Sequence, residues 1–480
     1  MMKTLTPLKY VKRACVLAFT LLTLITSFSY AQTRTYTNSA IGKSSNTILK
    51  PSADAVQNPN NALTSNDDTY ARVRSYGGVL LGGGQWQGEL ELKYAATQPA
   101  GTTTFIRVDF DADVMNALLG GNLGGLLADV LGTVVLGNHI VEVGARNGAT
   151  TVVSGSTTSA FSSNNIKLIT DANGYFYLAV TPNLPYDRVY VKDITNAILL
   201  GTTNDTKVYY AFTSQSSNPC AQAFATSYDG VGLNLSLLGI SKAGVINPEY
   251  AIDNNSSNFS NIGLGLISIA ASISQNFYFE NLSNSTDDFN VKFKIDPALV
   301  NLGLVDNISI TAYNGITPVY TTNVGTLISL DLLTLLRSGR PISVGFSPGV
   351  PINRVTLTLS SLLNVDLQQS IDIFGVTRSS AKPTFVAPAS NLVSICYGTS
   401  ALLSATTSPE NELVWYDSID AETALAVVDY NAYYTTASLT EEKNYYVASR
   451  RKGCTAESER MPVKVTVNPD FPAYQEKVKT

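Results

Sequence analysis

The chain has 480 residues, too many for one compact domain and of a length that suggests about three. Its 44% hydrophobic residues support real cores, while 14% charged residues is low for a cytosolic enzyme. A net charge of -5 without basic runs argues against a nucleic-acid partner.

The first 31 residues read as a secretory signal peptide. "MMKTLTPLKYVKR" is basic, "ACVLAFTLLTLITSF" is apolar, and Ser29 and Ala31 supply small residues for cleavage before Gln32. Cys15 opens the apolar run instead of following it, so it lacks the position of a lipoprotein acylation cysteine. Cleavage removes Lys3, Lys9, Lys12 and Arg13 and no acid, taking the charge from -5 to -9. The expected address is secreted, extracellular or outer cell surface, with no membrane span in the mature chain.

Two β-sandwich modules are expected next, over residues 32–215 and 216–378. Each opens on a similar head, "NPNNALTSNDDTYARV" (58–73) and "NPEYAIDNNSSNFSNI" (247–262), aligned at an offset of 189. Two further matches follow in the same order. "VEVGARNG" (141–148) answers "ISITAYNG" (308–315), and "PYDRVYV" (185–191) answers "PINRVTL" (351–357). The later offsets are 167 and 166, so the first copy carries 22 extra residues between head and Asn-Gly turn, assigned to the Gly/Leu-rich stretch 118–137. Its glycines and Asp129 argue for a packed loop or short helix over a membrane span.

Both copies alternate as strands do, in "GELELKY", "TFIRVDF", "HIVEVGA", "RVYVKD", "NFYFENL", "NVKFKI" and "RVTLTLS". Asn147-Gly148 and Asn314-Gly315 are hairpin signals. Many short strands at this spacing favour a sandwich or jelly roll. The leucines of "LISLDLLTLLRSG" (327–339) recur at helical spacing.

A linker is read at 379–390, inside "TRSSAKPTFVAPAS". Residues 391–469 then form a small Ig-like sandwich with Trp415 in its core, and 470–480 are a tail. The fold class is therefore all-β, two tandem jelly-roll modules followed by an Ig-like sandwich.

The motifs "AIDNNSSNFSNI", "ITAYNG" and "FSPGVPINRVTLTL" resemble modules repeated in large secreted proteins of Bacteroidota, related to discoidin-like, galactose-binding-type jelly rolls. "ICYGTSALLSATT" with "ELVWYDS" and "NYYVASRRKGC" resembles the Ig-like domains of the same proteins, many linked to type IX secretion and gliding motility. The resemblance implies architecture more than activity.

The Asn, Asp and Ser of each head suit a loop that hydrogen-bonds its own backbone. Asp67, Asp68 and Asp253 are the candidate Ca²⁺ ligands; no other cofactor is expected. Asp109, Asp111 and Asp113 read as a solvated strand end. Trp86, among glycines, is a candidate sugar-stacking residue, with a core role as its alternative. His139 is the sole histidine, and no nucleophile elbow or metal-spaced His/Cys cluster accompanies it. No enzymatic activity is expected. Cys396 and Cys454 lie near opposite ends of the Ig-like segment and are expected to form its disulfide, with Cys220 left over. The functional expectation is a non-catalytic surface or adhesion protein whose partners are surface glycans or other extracellular proteins; the alternative is a carbohydrate-binding protein or an accessory region of a glycan-processing enzyme.

Overall fold

The computed structural model describes residues 34–46, 49–77, 85–111, 115, 118–120, 139–159, 161, 165–196, 202–214, 220, 222–231, 244–265, 270–363, 367–386 and 389–468. The signal peptide, most of the 118–137 insertion, Asp113 and the tail lie outside them.

In chain order the first module contains β1 (Arg34–Tyr36), β2 (Ser39–Ser44), β3 (Val56–Gln57), β4 (Ala71–Gly77), β5 (Trp86–Gln98), β6 (Thr104–Asp109), β7 (His139–Asn147), β8 (Thr150–Ser156), β9 (Ile166–Asp171), β10 (Phe176–Val180), β11 (Tyr186–Thr195) and β12 (Thr202–Ser214). The second contains β13 (Ala225–Val231), β14 (Gly244–Ile246), β15 (Ser260–Gly265), β16 (Ser272–Tyr278), β17 (Asp288–Ile295), β18 (Ile308–Asn314), β19 (Thr317–Asn323), β20 (Ile342–Phe346), β21 (Arg354–Ser360) and β22 (Gln369–Ser379).

Strand pairing is the same in both. One sheet runs β2-β5-β11-β7-β8 in the first module and β13-β16-β21-β18-β19 in the second. The facing sheet runs β3-β4-β12-β6-β10 and β14-β15-β22-β17-β20. All these pairs are antiparallel, and alternate residues of each strand point into the core between the sheets. Val56, Leu90, Ile106, Val143 and Val191 fill the first core, and Ile262, Phe277, Phe293, Ile310 and Leu357 the second.

The copies differ where β9 stands. The corresponding place in the second module holds two helices, Val324–Leu327 and Leu330–Arg337. The latter is the helix expected from leucine spacing, and the Ser329 hydroxyl caps it by accepting from the Leu332 N–H. The extra strand joins the modules: β9 pairs with β13 at Asp171↔Ala225 and Thr170↔Thr226. An aromatic cluster seals the joint, since Phe105, Tyr177 and Phe212 pack with Phe224 and Tyr278. Arg34 adds an ion pair to the buried Glu280 at 2.6 Å.

The Ig-like module contains β23 (Leu392–Cys396), β24 (Thr399–Leu403), β25 (Asn411–Tyr416), β26 (Ala426–Asp429), β27 (Tyr434–Leu439), β28 (Lys443–Arg451) and β29 (Met461–Asn468). Trp415 is fully buried in its core and stacks on Tyr434. Phe385, within the segment read as a linker, already packs against this core, and Thr384 bridges to Thr406.

The expected disulfide is corrected. Cys454 bonds to Cys220, and Cys396 is an exposed free thiol. Strand register explains it. Cys396 pairs with Asn468, beside the start of β28, whereas Cys454 lies past the end of β28 at Arg451. Eight residues of strand separate those levels by roughly 27 Å at about 3.4 Å per residue, beyond the ~7 Å a disulfide spans between Cα atoms.

Candidate functional site

The second head begins at Asn247, whose left-handed backbone (φ 50°) leads into a short 3-10 turn, Pro248–Ala251. Asn58 does the same in the first head (φ 51°), before Pro59–Leu63. Ala251 and Ala62, aligned in sequence, are both buried and pin their loops to the sandwich. Beyond Ile252 the chain closes on itself through side chains. Asp253 accepts from the Asn255 N–H (2.9 Å) and the Asn258 amide (2.7 Å), while Asn255 accepts from the Ser257 N–H (3.0 Å). These bonds hold the tip 254–256 outward, with its residues exposed.

That tip forms one lip of a cleft between the second jelly roll and the Ig-like module, of about 710 Å³. Lys292 of β17 and Phe374 of β22 line its jelly-roll wall; the stretches 419–422 and 455–460 line the other. Phe374 packs on Phe259 of the head at 5.5 Å, and the Lys292 ammonium lies 5.5 Å from the Phe374 ring. Among the described residues Lys292 has no carboxylate partner, whereas nearby charges are committed. Arg340 pairs with Asp420, Lys382 with Glu459 at 2.7 Å, and the Tyr416 hydroxyl donates to Glu457 at 2.8 Å. Burial and that carboxylate push the Tyr416 hydroxyl up to about 12.

The cleft persists because its walls are joined below it. Asp287, fully buried, accepts from Arg451 at 2.6 Å and faces the buried Arg378 guanidinium. Burial pulls Arg378 down to about 10 against the opposing pull of Asp287. Ile419 of the Ig-like module packs against the jelly-roll core, and the Cys220–Cys454 bond closes the same side.

The residues singled out in sequence are dispersed. Asp67 carries an ion pair with Arg107 (3.2 Å) and accepts from the Tyr210 hydroxyl (3.0 Å). The Asp68 N–H donates to Asn66, and each Asp253 carboxylate oxygen accepts one bond from its own loop. Among the described residues no three His, Cys, Asp or Glu side chains gather as a metal site. Asp109 pairs with Lys207 at 2.8 Å. Trp86 is 8% exposed, stacked on Tyr76 with the Lys50 ammonium 5.5 Å from its ring, a packing position. His139 meets the buried Asp193 at 2.8 Å, and the Ser75 and Thr206 hydroxyls donate to the same carboxylate. The carboxylate is the hub. Among the described residues no hydroxyl is hydrogen-bonded to the imidazole.

Phe374 and Lys292 were not anticipated from sequence. They stand one per strand in unremarkable β patterns. The nearest signal was the crowding of "TDDF" and "SRRKGC" with charge in a chain otherwise poor in it.

Residues 382–469 match the family model described as "Ig-like domain CHU_C associated". No curated protein matches the chain. Among solved structures it is similar to a β-1,2-glucanase from Parabacteroides distasonis, with 13% identity over 42% of this chain and 31% of that one, TM-score 0.19. It is also similar to the adhesin domain of Epf from Streptococcus pyogenes, with 10% identity over 44% of this chain and 78% of that one, TM-score 0.16. Fibronectin(III)-like modules of Clostridium thermocellum CbhA give 11% identity over 42% of this chain and 87% of those modules, TM-score 0.15. The chain spans under a third of the glucanase, and scores this low carry no functional argument.

Proposed function

We propose that this is a non-catalytic surface or adhesion protein, a rigid string of three β modules that presents the cleft between the second jelly roll and the Ig-like domain. The observation that carries the reading is the way the modules are joined: by a continued sheet, by a buried ion pair and by a disulfide linking distant parts of the chain. A hinged multidomain enzyme moves at such joints; here they are closed. The disulfide also favours an oxidising, extracytoplasmic address. Adhesion of beads coated with the full chain to cells or extracellular matrix tests the reading, and beads that stay as free as albumin-coated controls would sink it.

The cleft itself favours a saccharide. Exposed Asn254, Asn255 and Ser256 offer hydrogen bonds, the half-buried Phe374 offers apolar surface, and Lys292, beside that ring and without a carboxylate partner among the described residues, suits a carboxylated or sulfated sugar. Glycan-array binding by the full chain should fall at least tenfold in Phe374→Ala and in Lys292→Ala. Binding that survives both changes places the sugar elsewhere, and an array without signal leaves adhesion to a protein partner.

A further inference from the structure

The Cys220–Cys454 bond joins residues 234 positions apart. Cys220 stands before β13, the first strand of the second jelly roll, and Cys454 follows β28 of the Ig-like domain. Nearly all of both modules therefore lies inside the covalent loop. We infer that the bond is a load strap: tension along the chain crosses from Cys220 to Cys454 and leaves the second jelly roll, with its own wall of the cleft, out of the force path.

The route is set by connectivity. Force entering at Arg34 must pass through the first module to reach Cys220. There β1 and β12 are antiparallel, and Arg34 is paired with Ser214. The two loaded ends of the first module are thus neighbours, and a pull separates them bond by bond, the geometry of least resistance for a sheet. Beyond Cys220 the covalent path runs to Cys454 and then through β29, which is held by β23 and β28. Should β29 peel away, the chain gains only the short segment after Cys454. The joint at Asp287 and Arg451 sits inside the loop and is spared. The first module becomes the extensible part and the second a protected one. This conclusion does not depend on what the cleft binds.

Single-molecule force extension of the full chain, with handles at its two ends, reads the strap directly as contour length. The oxidised protein should release the first module and the short terminal segment only. After reduction the same protein should release a further length of roughly 800 Å, from 234 residues at about 3.3–3.6 Å each. The Cys220→Ala, Cys454→Ala double variant should show the added length without reductant. If that variant does not fold, the wild-type chain pulled before and after reduction still decides, since length is read whether or not the loop is folded. Peptide mapping beforehand should find Cys220 linked to Cys454. Equal total lengths with and without reductant, or a mapped bond to Cys396, would overturn the inference.

Discussion

The Asn353 side chain accepts a hydrogen bond from the Gly315 N–H at 2.9 Å, and the Asp187 carboxylate accepts one from the Gly148 N–H at 3.0 Å. Both glycines have positive φ in their Asn-Gly turns, so the tail motif of each copy locks that copy's hairpin. Asn353→Ala should cost about 1 kcal/mol in urea unfolding by leaving a turn N–H unpaired. Asn353→Asp reproduces the first copy and should cost less than half as much; an equal loss would show that the bond is not what matters. At Asp253 the carboxylate already holds two donors of its own loop. Calcium at millimolar concentration should therefore leave the melting temperature unchanged, and a rise of several degrees would restore the metal reading.

At the scale of elements, the copies share topology but diverge in the charge on their sheets. On β5, Glu89 and Glu91 point the same way and meet Lys43 of β2, Arg146 of β7 and Arg188 of β11 at 2.5–3.5 Å. Burial works to raise both carboxyls, but hydrogen bonds from Arg146, Lys43 and Arg188 outweigh it and hold them below the usual range. Carboxyls lowered in this way contribute stability that is full above their unfolded value near 4.5 and is lost as pH falls through the lower folded value. The second copy carries the opposite sign at Asp288, which burial raises despite the Ser347 and Lys382 donors. Its contribution is full below the unfolded value near 3.8 and declines as pH rises through the raised one. Acidification from pH 6 to 3 should therefore loosen β5 more than β17, read as hydrogen-exchange protection of each strand; equal loss in both would show that the ladder is inert.

Across the whole molecule, the joint between the second jelly roll and the Ig-like domain carries buried charge. Asp287→Ala removes the carboxylate facing the fully buried Arg378, which keeps its bond to the Asn281 carbonyl, and takes an ion pair from Arg451; it should cost about 3 kcal/mol or more. The loss should appear in the second jelly roll and the Ig-like domain together and be smaller in the first module, which among the described residues meets them only through the β9–β13 joint and its neighbours; separate transitions for the second jelly roll and the Ig-like domain would refute a shared fold. Reduction of the Cys220–Cys454 bond removes a constraint worth about 5 kcal/mol by chain entropy for a loop this long. It should lower the same transition.

The all-β class, the two-copy plan and the Ig-like domain were legible in the sequence because they rest on local signals. Alternation with period two marks strands, Asn-Gly marks hairpins, and an Asn-Pro head needs a left-handed residue that asparagine tolerates. Even the Leu330–Arg337 helix follows from nearest-neighbour spacing. What only the tertiary structure decided depends on distance between residues remote in the chain. Cys396 and Cys454 are close in sequence but lie at opposite ends of β28, whereas Cys454 and Cys220 meet because the Ig-like domain docks on the second jelly roll. The cleft of Phe374 and Lys292 exists for the same reason. Strand patterns specify which face of a residue is buried, and the contact between two finished modules is chosen by surfaces that no single strand encodes.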